Sequence, residues 1–210
     1  MRGPLTLAAS CLLGACPGGG ESNPPLDAPP MIDGTVPSNG VTITFAAMDL
    51  PIDVTNKVTL ESVTIRTMTI RALGDVASDD RTTLENAQLE WKSDGEPASI
   101  TFDQAPTGMY SKVDLRITKF ELRGTAESRG DDHDFEIEGE SELIDSVVDV
   151  PDMSLESGGT VTFAVAVDLA SICAGINWNA VRQLDDKLKL DDDDPQMPGV
   201  RTRVDAAFRP

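Results

Sequence analysis

The stretch Lys57–Leu73, KVTLESVTIRTMTIRAL, decides the fold. Val, Thr and Ile fill it, and these β-branched residues suit a pleated, half-buried surface. Its apolar residues recur at every second position, which is the period of a strand and not of a helix. The phase is broken twice. Val58 and Leu60 fall on even positions, Val63 and Ile65 on odd ones, and Met68 and Ile70 on even ones again. One residue of slip turns all later side chains to the opposite face. A strand of this length must therefore absorb extra residues as bulges or a bend, near Glu61-Ser62 and near Thr67.

The same period extends outward in both directions. Upstream, Val41, Ile43, Phe45 and Ala47 alternate with Thr42, Thr44 and Ala46. Downstream, strands are expected at Ala87–Trp91 and Ser99–Phe102, joined through the turn Asp94-Gly95-Glu96-Pro97. Tyr110–Arg123 follows, with a further slip at Thr118-Lys119, then Phe135–Ser141, Leu143–Val150, Ser154-Leu155 and Val161–Leu169. One segment has a different spacing. Trp178, Val181, Leu184 and Leu188 recur at three or four, behind a plausible cap at Asn177, and predict a short helix ending near Asp191–Asp194 and Pro195. Val200, Val204, Ala206 and Phe208 alternate with charged residues and predict a last strand. The expectation is one all-β domain over residues 41–210: an antiparallel β-sandwich, Ig-like or prealbumin-like, with one short helix near the C-terminus.

Composition narrows the class of partner. The chain holds 36 acidic and 17 basic residues and a net charge of −19. Such a charge argues against nucleic acid and against anionic membrane surfaces. It suits divalent cations, basic partners or plain solvation.

The N-terminus carries a location signal. Arg2 precedes the apolar run Leu5–Leu13, and Leu13-Gly14-Ala15-Cys16 places small residues before a cysteine. Ten or so residues in a helix reach roughly 15 Å, half of a bilayer core of about 30 Å. The run is therefore too short to span. This segment resembles the lipobox of bacterial lipoproteins. That resemblance implies removal of residues 1–15 as a signal peptide and lipidation of Cys16, whose acyl chains would tether the protein firmly to a membrane. Pro17 in place of Asp favours the outer membrane or cell surface over inner-membrane retention in that family. Residues 16–40 are rich in Pro, Gly and small polar residues and read as a disordered tether. With Cys11 removed and Cys16 modified, Cys173 alone remains, so no internal disulfide is expected. One His, His133, rules out the usual Cys/His zinc sites.

Two further segments resemble an uncharacterised family of bacterial surface β-sandwich lipoproteins. One is Met48-Asp49-Leu50-Pro51 followed by Val58-Thr59-Leu60 and Val63-Thr64-Ile65. The other is Gly108-Met109-Tyr110-Ser111-Lys112-Val113-Asp114-Leu115, where a Gly turn feeds a strand opening with Tyr. The resemblance covers roughly residues 41–169 and implies a fold and a location, without catalytic residues.

Candidate sites are few. Asp131, Asp132 and Asp134 flank His133 at a loop tip, and Asp191, Asp192, Asp193 and Asp194 form the densest negative run. Either could hold Ca²⁺, which takes six to eight oxygens, although no EF-hand spacing is present. The plainer reading of both is a solvated acidic surface. Arg129-Gly130-Asp131 spells a tripeptide used by some adhesive proteins and is given almost no weight. Trp91 and Trp178 share faces with apolar neighbours and are expected in the core, and Tyr110 is expected to anchor a turn. Cys173 has no basic neighbour in sequence and reads as a buried small residue. No Gly-x-Ser-x-Gly elbow accompanies His133. The sequence thus predicts a lipid-anchored, non-enzymatic binding or structural module with no cofactor, whose partner is a cell-surface protein or polysaccharide. The alternatives are a Ca²⁺-dependent adhesive or polysaccharide-binding module and a carboxylate-pair glycoside hydrolase.

Overall fold

Two very long strands carry the architecture. In the computed structural model, which describes residues 39–75, 80–93 and 95–210, β3 (Val58–Gly74) lies antiparallel to β7 (Gly108–Ser128) along its whole length. The expected signal peptide, Cys16, the tether up to residue 38 and Asp94 lie outside the described residues. The predicted slips are physical. Glu61 and Met68 are extra residues on β3, and Thr118 is an extra residue on β7. Each bulge changes which parity faces inward, so Val58, Leu60, Val63, Ile65, Thr67, Ile70 and Ala72 are all buried. The bulge at Thr67 keeps its polar groups satisfied, since the Thr67 amide donates to Ala87 O at 2.9 Å and Asn86 N donates to Met68 O at 2.9 Å.

The remaining strands pair outward from this ladder. β2 (Ile52–Thr55), β4 (Thr83–Glu85) and β5 (Gln88–Lys92) share the far edge of β3. β8 (Asp131–Gly139) and β9 (Ile144–Leu155) share the far edge of β7. A hairpin, β11 (Arg182–Leu184) and β12 (Lys187–Leu190), extends this sheet beyond β8 and brings it to nine strands. A second sheet has four strands: β6 (Ala98–Asp103), β1 (Gly40–Ala47), β10 (Thr160–Val167) and the short β13 (Phe208–Arg209). The molecule is all-β, with two sheets and few helices.

Both sheets contribute to one core. Val41, Ile43, Phe45, Phe163 and Val165 of the smaller sheet are buried with Leu60, Ile65, Leu115 and Leu122 of the larger. Tyr110 on β7 and Phe163 on β10 meet with ring centroids 6.5 Å apart. The Trp91 indole, also buried, donates from β5 to Phe45 O on β1 at 3.3 Å.

Three expectations are corrected. First, pairing is not antiparallel throughout. β1 runs parallel to β10, and β12 parallel to β8. β5 belongs to the larger sheet and β6 to the smaller, so the expected turn between them, where Gly95 N donates to Lys92 O at 3.2 Å, leads the chain from one sheet to the other. Second, the helix predicted from Asn177 to near Asp191–Asp194 is a 3-10 turn at Trp178–Ala180 followed by the β11–β12 hairpin. Asp185 and Asp186 hold φ of 50° and 62° at its tip, a two-residue turn that Asp tolerates and that matches strand twist. Leu184, expected on a buried helix face, is 45% exposed. Third, the predicted C-terminal strand is mostly helix. α2 (Met197–Ala206) buries Met197, Val200, Arg201 and Val204. A spacing of four residues fits both periods, and Met197 and Arg201 settle it in favour of 3.6. A five-residue helix that the sequence reading missed, α1 (Leu169–Cys173), begins where Asp168 accepts from Ser171 N at 3.2 Å. No helix among the described residues is long and apolar enough to cross a membrane.

Candidate functional site

The β7–β8 hairpin ends in a two-residue turn, Arg129-Gly130, with φ of 57° and 99°. It projects toward the turn between β2 and β3 on one side and toward the α1–Trp178 connection on the other. A cleft of about 370 Å³ lies between these three segments. That volume sits at the small end of the range for ligand pockets, about 300–1,000 Å³. Its floor is apolar and comes from Val58, Ile176 and Trp178, with Cys173 beneath. Trp178 is held in place by its ring contact with Phe135, 4.7 Å between centroids, and by its carbonyl, which accepts from Ser128 Oγ at 3.1 Å.

The rim is polar. Lys57 Nζ, in the β2–β3 turn, donates to Glu127 on β7, and both are partly exposed. Arg129 is anchored through its backbone, since its amide donates to Asn179 Oδ1 at 2.6 Å and its Nη2 reaches Asn179 O at 3.4 Å. Its guanidinium makes no ion pair among the described residues. That contrasts with the outer face of the large sheet, where Arg71, Arg116, Lys119 and Arg123 each face a carboxylate on a neighbouring strand. Hydrogen bonds that Lys119 donates to the Glu138 and Glu140 carboxylates hold its ammonium above the ordinary lysine range.

Cys173 is 2% exposed and is not a nucleophile in this setting. Burial pushes its thiol up to about 12, and the nearby Arg203, brought in by α2, only partly opposes this. The sequence offered no basic neighbour; the fold supplies one, but burial dominates. Cys173 is accordingly expected to resist iodoacetamide at pH 8 in the folded protein and to react once guanidinium unfolds it. Peptide mapping of the labelled chain checks this, and native-state alkylation at the rate of a free cysteine would contradict it.

The aspartate clusters do not form a cation site among the described residues. Asp131, Asp132 and Asp134 lie along one strand, β8, so Asp132 and Asp134 share a face while Asp131 is on the opposite one, and the three do not converge. His133 Nδ1 lies 3.5 Å from Gln183 Nε2. In the second run, Asp191 pairs with Arg182 at 2.6 Å, and Asp194 accepts from Gln196 N at 2.8 Å ahead of α2. Asp192 accepts from the amides of Glu140 and Ser141 and from Arg201, while Asp193 stays exposed. Three of the four carboxylates thus already have protein partners.

Two expectations about aromatic residues hold. Trp91 and Trp178 are 6% and 8% exposed, and Tyr110 Oη donates to Pro106 O at 2.7 Å, tying down the turn before β7. The cleft itself was missed, because Lys57, Arg129 and Trp178 come from segments far apart in sequence. The one usable signal was Arg129-Gly130 between two alternating runs, which marks a hairpin tip.

No protein-family model and no curated protein matches the chain. Among solved structures, a leucine-rich repeat protein from Bacteroides thetaiotaomicron is similar at 11% identity and a TM-score of 0.25. The match covers 75% of this chain and 15% of that one.

Proposed function

We propose that the protein is a lipid-anchored, extracytoplasmic binding module without enzymatic activity, held at the outer membrane or cell surface through Cys16. The observation that carries this reading is the order Arg2, the apolar run Leu5–Leu13, and Leu13-Gly14-Ala15-Cys16 ahead of a Pro/Gly-rich stretch. The first strand, β1, begins at Gly40, well after that cysteine, which fits a tethered domain. We assign its two sheets to the sandwich class of Ig-like or prealbumin-like domains, on the strength of the shared core between them and with two parallel pairings as a departure. The cleft beside Arg129 is the part of the domain suited to a ligand, which we place among cell-surface molecules.

Lipidation is tested by expressing the full chain in a bacterial host with radiolabelled palmitate, with and without globomycin. Label is expected in the wild-type chain and absent from Cys16→Ser, and globomycin is expected to leave the longer, unprocessed form. Equal labelling of wild type and Cys16→Ser, or processing indifferent to globomycin, would remove the anchor from the proposal.

A further inference from the structure

Arg129 stands out in a chain where acidic residues outnumber basic ones two to one, 36 against 17. Its guanidinium has no carboxylate partner among the described residues; Arg66 on β3 and Lys187 on β12 also lack an ion pair there, but of the three only Arg129 lines this cleft. It lines the cleft with Lys57, and against these two cations the lining offers one carboxylate, Glu127. Lys57 is already paired with Glu127, so Arg129 is the one charge of the lining without an opposite partner, on a protein of net charge −19. At contact distance that guanidinium favours a single anionic group, whereas a polyanion would also meet the negative surface around it. Below the rim lie Val58, Ile176 and Trp178, so a ligand entering between the cations meets apolar surface. The walls leave room for it. A Cβ built on Gly130 or on Gly175 meets nothing within 4 Å, and both glycines line the cleft.

We propose that this cleft binds a small ligand with a single anionic head and an apolar body. Arg129 takes the head, a carboxylate, sulfonate or phosphate, in the forked geometry a guanidinium provides. The Trp178 and Ile176 floor takes the body. Backbone anchoring by Asn179 fixes the position of Arg129 before the ligand arrives, which limits the ordering cost of binding. The inference rests on the binding-module reading but not on the anchor, so failed lipidation leaves it standing.

The test uses the full-length chain carrying Cys16→Ser and two dyes with the same ring system. One is 1-anilinonaphthalene-8-sulfonate; the other, N-phenyl-1-naphthylamine, lacks the sulfonate. The wild-type cleft is expected to bind the sulfonate at one saturable site. Arg129→Met is expected to weaken that binding about tenfold while changing the neutral dye less than about twofold, because a hydrogen-bonded charge is lost and the floor is not. Ala174→Trp, at an exposed position with extended backbone, is expected to fill the cleft and weaken both dyes by more than about tenfold. Dye bound by the N-terminal leader is common to all variants and cancels in the comparison. Lack of a saturable sulfonate site, equal loss of both dyes in Arg129→Met, or full binding by Ala174→Trp would each overturn the proposal.

Discussion

Gly124→Val is expected to cost the protein about 3 kcal/mol or more, because it forces atoms into space already filled by backbone. A Cβ on Gly124 would lie 2.0 Å from Thr59 O and 2.9 Å from the Phe135 ring. Gly124 sits opposite Phe135 in the β7–β8 ladder, and the ring covers the place where a side chain would be. The same arrangement recurs with the roles exchanged, since Phe120 on β7 lies over Gly139 on β8. Such pairs give a sheet back the apolar cover that a strand glycine lacks. The two glycines differ in what they touch. At Gly139 the clash is with the Phe120 ring alone, and a ring can tilt, whereas the Thr59 carbonyl belongs to the central ladder. Thermal unfolding should therefore show a drop of roughly 6–12 °C for Gly124→Val in a domain of this size, and a smaller one for Gly139→Val. If Gly139→Val were the worse variant, backbone contact would not be the cause. Because Phe135 also packs on Trp178, the Gly124 variant should disturb the cleft floor as well as the sheet.

How much of this was legible in the sequence depends on whether a period or a contact decides. Val58 through Ala72 revealed both the strand and its bulges, since parity changes are visible in a linear string. The Tyr110 anchor was legible for a similar reason, a Gly turn feeding a strand. The C-terminal third misled because its spacings are ambiguous. Val181, Leu184 and Leu188 imitate a helix face, while the deciding residues are Asp185 and Asp186, whose left-handed turn reverses the chain. Pro198 at the start of α2 was a helix signal that the alternating charges concealed. Pairing partners were not legible at all. Nothing local says that β1 lies beside β10, or that β12 joins β8, because those choices are made by the shared core. The cleft falls in this last class. The acidic runs drew attention through composition, yet Asp191, Asp192 and Asp194 go to Arg182, Arg201 and backbone amides and the β8 aspartates do not converge, while the cleft proposal rests on Arg129, which no count singles out.

Arg201→Met is expected to destabilise the fold by about 3 kcal/mol, near the low end for breaking a buried ion pair from one side. Arg201 is 9% exposed on α2 and donates to Glu142 Oε2 at 2.9 Å, to Ser141 Oγ at 2.8 Å and to Asp192. It thereby ties the helix to the β8–β9 connection and to the loop before the helix. Glu142 is largely exposed and contributes little, so the effect lies with Asp192, which Met leaves without its cation. The sign of the pH dependence follows from Asp192. Burial alone would raise its carboxyl, but the Glu140 amide, the Ser141 groups and Arg201 together outweigh this and hold it below the ordinary carboxylate range. A lowered carboxyl stabilises the folded state fully above its unfolded value, about 3.9, and that contribution fades as pH falls through the folded value. Urea unfolding of wild type and Arg201→Met should therefore show a constant gap from pH 7 to pH 5 and a shrinking one below about pH 4. A gap that persists undiminished to pH 2 would mean that the arginine acts through the packing of its stem and not through its charge, and would remove Asp192 from the account of how α2 is held.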